Sequence, residues 1–178
     1  STRKDIVLRR RGVAPNKFER RLLANQYQIL SLLDQNNADH YEKMQEALEK
    51  GYESYYHDEI FGWIFDGLAE SESTLVIDAM DMYFAIQRAY DALDDKAEIE
   101  EWRTKFPGFD GNHETAYMSY ARFVVEREGR FSLLKLSSAD FNSHTPMLDR
   151  YRRMIDNWKL TANQYDLTRE GITAILGS

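Results

Sequence analysis

Between Ser73 and Leu93 the apolar residues Leu75, Val76, Ala79, Met80, Tyr83, Ile86, Tyr90 and Leu93 recur at three- and four-residue steps. That is the period of an α-helix and not of a strand. The face they form is too broad for a surface helix and calls for cover on several sides. Only three prolines interrupt the 178 residues, so other long helices can form around it.

The remaining segments read the same way. Asn16 followed by Glu19 has capping-box spacing, and Leu22, Leu23, Tyr27, Leu30 and Leu33 follow as a helical stripe. A second helix begins at Asn37 or Asp39, carries Tyr41, Met44 and Leu48, and stops at Gly51. Residues 52–66 are aromatic-rich and predicted helical, against the tendency of Gly62. Asp95 with Glu98 opens a short helix ending near Phe106, residues 107–112 form a turn, and a helix runs from about His113 to Glu128. Residues 131–136 are predicted extended. Thr145-Pro146 reads as a hydroxyl cap before a first-turn proline, opening a helix with Leu148, Tyr151, Ile155 and Trp158 inward. Leu167 and Ile172 flank Thr168 in staple spacing before a last helix. With no repeat and no linker composition, the expectation is an all-α fold. It comprises a single multihelical domain over residues 18–178 and a short basic arm over residues 1–17. Met80, Tyr83, Val124, Leu148 and Trp158 are predicted to share one core.

Charge is unevenly placed. The net charge is −7, yet residues 1–21 hold eight basic residues against Asp5 and Glu19, a local +6, which leaves −13 on the rest. A basic arm of Arg3, Lys4, Arg9, Arg10 and Arg11 suits a nucleic-acid backbone. It suits equally well the acidic surface of its own or a neighbouring subunit. The second reading is favoured, because the acidic body repels polyanions wherever the arm does not lead. The chain has no cysteine, which removes disulfides and thiolate chemistry. No run approaches the roughly 20 apolar residues of a membrane span. The first residues alternate basic and aliphatic rather than forming a secretory core, so the cytoplasm is the expected compartment.

The common catalytic motifs are missing: there is no GxxxxGK[ST], GxGxxG, GxSxG or HExxH. His40, His57, His113 and His144 offer no pair at helical spacing for zinc. Neither a metal nor a cofactor is expected. Asp78 and Asp81 lie three apart on the most apolar helix and read chiefly as a solvated edge. Asp110-Gly111-Asn112 resembles the opening of a calcium loop but lacks the later ligands. The best polar constellation is Asp110, Arg122, Glu128, Arg130 and Asn142, around the helix starting near His113 and the loops beside it. Arginine there can hold an anionic ligand in bidentate fashion or pin a loop to a helix, and the structural use is favoured.

Several dispersed matches go beyond helical periodicity: Ala24-Asn25-Gln26-Tyr27, Gly108-Phe109-Asp110, Tyr120-Ala121-Arg122-Phe123, Glu128-Gly129-Arg130, Phe141-Asn142 and Thr145-Pro146-Met147, continued by Tyr151, Met154 and Trp158. By these the chain, over roughly Leu22 to Ile175, resembles the YfbU family of small bacterial helical proteins. The resemblance implies an all-helical, self-associating protein and brings no catalytic residues with it. The basic residues 1–17 depart from the pattern as an extension. Three readings stay open, in this order: a non-enzymatic helical protein that forms a homo-oligomer and binds a partner protein, a nucleic-acid-binding regulator using the arm, and an enzyme or small anionic-ligand binder at Arg122 and Arg130.

Overall fold

The computed structural model describes residues 14–62, 64 and 67–178. The arm residues Arg3, Lys4, Arg9, Arg10 and Arg11, the expected extended segment 5–11, and Trp63 and Phe65 lie outside the described residues. Among those described, the regular structure is helical: α1 (Lys17–Leu33), a 3-10 turn (Gln35–Asn37), α2 (Ala38–Lys50), α3 (Glu53–Phe61), α4 (Glu70–Ala92), α5 (Glu101–Thr104), α6 (Thr115–Glu126), α7 (Leu148–Leu160) and α8 (Arg169–Leu176). The fold is all-α. Its contacts gather into two compact units, Ser1–Gly67 and Leu68–Ser178.

In the first unit, the Asn16 side chain accepts from the Phe18 and Glu19 amides while Glu19 returns a bond to the Asn16 amide, so the expected capping box opens α1. Gly51 ends α2 at φ +78, the left-handed conformation that glycine adopts without a Cβ penalty. Helices α1 and α2 lie side by side. Ala24, Met44, Ala47, Leu48 and Tyr56 form the core, flanked by Leu23, Tyr27 and Ile60. Tyr41 binds Asp34, and Arg20 reaches the Leu48 carbonyl. The stripe expected on α1 divides. Leu23 and Tyr27 turn inward with Ala24, while Leu22, Leu30 and Leu33 face solvent.

The second unit is built on α4, which packs against α5, α6, α7 and α8. Its buried Val76, Ala79, Met80, Tyr83, Ile86 and Tyr90 carry out the central role that the periodicity demands. Val124, Tyr151 and Trp158 join the same core, with Leu148 half-buried at its edge. Tyr83, Phe106, Phe109 and Tyr151 meet mostly edge to face, with centroids 5.3–6.0 Å apart, the preferred arrangement of aromatic quadrupoles.

Three local expectations need correction. Residues 131–133 form a turn, and 134–136 do not make a continuous strand. Isolated parallel bridges, Phe106 to Leu136 and Phe109 to Asn142, stand where a sheet would need a continuous ladder. The buried Gln87 holds that junction. Its amide donates to the Thr104 and Lys135 carbonyls, and its oxygen accepts from the Lys135 amide. This tertiary anchoring makes a continuous strand unnecessary. Asp95 turns back to the Ala97 amide, and Glu98 takes a positive φ, so the short helix starts only at Glu101.

The third correction concerns α7, which begins at Leu148 without a cap from Thr145. The Thr145 hydroxyl instead points back to the Ser143 carbonyl, 3.5 Å away. A buried carboxylate from another element, Glu114, takes the capping role described below.

Candidate functional site

The loop between α5 and α6 and the loop before α7 are pinned together by a polar node. At its centre is Glu114, buried at the start of α6. One carboxylate oxygen accepts from the Met147 amide at 2.8 Å and the Leu148 amide at 2.9 Å, and the other accepts from the Asp110 amide at 3.0 Å. An anion at the positive end of α7 complements the helix dipole and satisfies orphan donors. Asp110, also buried, accepts from the Asn112 amide and bonds the His113 ring at 2.5 Å. Its carboxyl is held below the usual range, first by the His113 bond and then by the Asn112 amide. The Asn142 side-chain oxygen accepts from the Gly111 and His144 amides, closing the second loop on the first.

Gly108 is essential to this crossing. Its φ is +87, and a Cβ there would strike the Phe141 carbonyl. The Gly108 carbonyl accepts from the Tyr151 hydroxyl at 2.7 Å, so the loop also hangs from α7. Phe141 and His144 both take positive φ, an uncommon state for such residues that the surrounding bonds enforce.

Of the five residues singled out in the sequence, three belong to this node. Asp110 and Asn142 stand within it, and Arg122 joins from α6 by donating to the Asp140 carbonyl at 2.6 Å. Arg122 therefore pins a loop to a helix. Glu128 and Arg130 lie past the end of α6, 3.9 Å apart and partly exposed, with the Arg130 guanidinium over the Phe131 ring. Clefts occur elsewhere among the described residues. One of about 360 Å³ is lined by Pro15, Glu19, Leu22, Leu23, Ile60 and Phe61, and one of about 620 Å³ by Glu98, Arg169, Glu170, Thr173 and Ala174. Neither is lined by Arg122 or Arg130.

Sequence reasoning passes over His113 and Glu114. Asp110 to His113 is an i, i+3 spacing that hinted at the pair, whereas two of the three amides that Glu114 serves lie more than thirty positions away, and that use left no local signal. Chemically, the node orients an exposed imidazole by a buried carboxylate, but its other acceptors are spent on backbone amides. Among the described residues, no group of three or more His, Asp or Glu side chains is placed to hold a metal ion. Asp78 pairs with Lys159 across to α7 rather than with Asp81. The Asp81 carboxyl is pushed up, first by burial and then by the neighbouring Asp78 charge, with Arg130 opposing.

A second surface is apolar. On α1, Phe18, Leu22, Ile29, Leu32 and Leu33 point away from α2, and Phe18 is 71% exposed, Leu32 71% and Leu33 77%. On a helix these positions fall on one side, opposite the buried Ala24 and Ser31.

The described residues thus define an all-α protein in which polar chemistry is turned to holding loops and a helix displays its apolar face. The YfbU domain model matches residues 15–178. The chain is also 43% identical over 169 residues to the UPF0304 protein of Methanocaldococcus jannaschii, covering 92% of this chain and 99% of that protein. The chain belongs to the YfbU family.

Proposed function

We infer that this protein is a non-enzymatic helical assembly protein of the cytoplasm, one that self-associates and binds a partner protein. The apolar face of α1 carries the reading. Solvent-facing Phe18, Leu22, Ile29, Leu32 and Leu33 give a surface that proteins normally cover. Tyr52 and Tyr55 at the start of α3 add exposed aromatic surface of the kind enriched at interfaces. No described helix is long and apolar enough to cross a membrane, so a lipid-spanning use of these residues has no support. The polar node favours the same reading, since Glu114, Asp110, Asn142 and Arg122 are committed to backbone groups.

Sedimentation velocity of the full chain over a hundred-fold concentration range tests the reading. A mass above that of one chain is the expected result. A monomer throughout that also binds duplex DNA or single-stranded RNA in low salt, and releases it in high salt, favours the nucleic-acid reading instead.

A further inference from the structure

We propose that the exposed face of α1 is a two-fold interface with a second copy of this chain, the two helices running antiparallel with Asn25 facing Asn25 at the axis. The proposal rests on the self-association reading above and specifies its surface and geometry.

The face is self-matching. Asn25 is exposed at its middle, Phe18 lies seven residues before it and Leu32 seven after, and Leu22 and Ile29 stand three before and four after. A two-fold axis through Asn25 therefore sets Phe18 against Leu32 and Leu22 beside Ile29 in both halves. Two copies of one patch satisfy each other, which is the condition for an isologous contact. The apolar residues recur at three- and four-residue steps, so they form one continuous stripe along the helix that a second helix can cover.

Size agrees with this occupant. Phe18, Leu22, Ile29, Leu32 and Leu33 together present on the order of 600 Å² per chain, at the upper end for the largest patch of a monomer. Two copies then bury about 1,200 Å², the lower bound of a specific interface. The cleft lined by Leu22, Ile60 and Phe61 adjoins the face and offers room for the partner's side chains. Charge selects the direction. Lys17, Arg20 and Arg21 crowd the start of α1 behind the basic residues 1–16. A parallel pair would bring two such ends together, whereas an antiparallel pair sends them apart.

Because the chain has no cysteine, the geometry can be read by cross-linking. Under mild oxidation, Asn25→Cys should give a disulfide-linked dimer. Phe18→Cys alone should not, and Phe18→Cys with Leu32→Cys should. In sedimentation equilibrium, Ile29→Glu should raise the dimer dissociation constant at least about ten-fold while leaving the circular dichroism unchanged, since the position is already exposed. A dimer indifferent to Ile29→Glu and not linked through Asn25→Cys overturns the surface but leaves self-association standing. Linking by Phe18→Cys alone overturns the antiparallel order. A full chain that stays monomeric sinks both. A chain that becomes dimeric only after residues 1–13 are removed overturns the proposal by showing that its own arm takes the face.

Discussion

Glu114 shows how one side chain can decide the joining of two loops. Its carboxylate serves three backbone amides in two loops, and none of them has another acceptor among the bonds described. Glu114→Ala should therefore cost about 2–4 kcal/mol, the penalty for stranding buried donors. Thr145→Ala should cost less than about 0.5 kcal/mol, as expected for an exposed residue without a capping role. Urea titration of the two variants side by side separates these assignments, and equal losses would return the cap to Thr145. Asp110 adds a pH dependence. Its folded-state pKa is lowered by His113 and the Asn112 amide, so its contribution is fully present above the unfolded carboxylate value of about 3.9. That contribution is lost as pH falls through the lower, folded value. The urea midpoint should fall on acidification from about pH 5 to 3, and less steeply for Asp110→Asn. Parallel curves would show that the Asp110 bond is not coupled to folding.

At the scale of elements, α7 is the best place to test the inward faces. Trp158 is buried, its ring N–H donates to the Gln164 carbonyl at 2.7 Å, and Tyr165 meets it edge-on. Trp158→Ala should cost about 3–5 kcal/mol by chemical denaturation, the range for deleting a fully packed aromatic. A loss below about 1 kcal/mol would mean that the helix carries its load elsewhere. Caps at three helices show where local reading reaches. Where donor and acceptor lie within one turn, as at Asn16 with Glu19 and at Thr168 with Gly171, the local sequence names them correctly. At α7 the acceptor comes from a distant residue, and the local Thr-Pro signal misleads.

For the whole molecule, the uneven charge is the testable feature. We expect removal of residues 1–13, which leaves the Asn16 cap in place, to lower stability or shift the association equilibrium while changing polyanion binding little. Thermal melts, sedimentation and filter binding at two salt concentrations check this together. Tight nucleic-acid binding by the full chain, steeply weakened by salt and lost on deletion, would overturn it.

What the sequence determined by itself was set by period and local chemistry: the all-helical class, the central burial of α4, the capped start of α1 and the glycine stop of α2. Each depends on residues within a few positions of one another, so one-dimensional reading reaches it. The tertiary structure alone decided the rest. The α1 stripe divided because two apolar sides were available and α2 could cover only one. Segment 131–136 formed no continuous strand because Gln87 and the single bridge from Leu136 to Phe106 satisfied its backbone. Asp110, Arg122 and Asn142 were picked out by residue type, but their use in holding loops depended on Glu114 and on Phe141 held at a positive φ. Such contacts join residues far apart in the chain, and their energies exist only once the fold has brought those residues together.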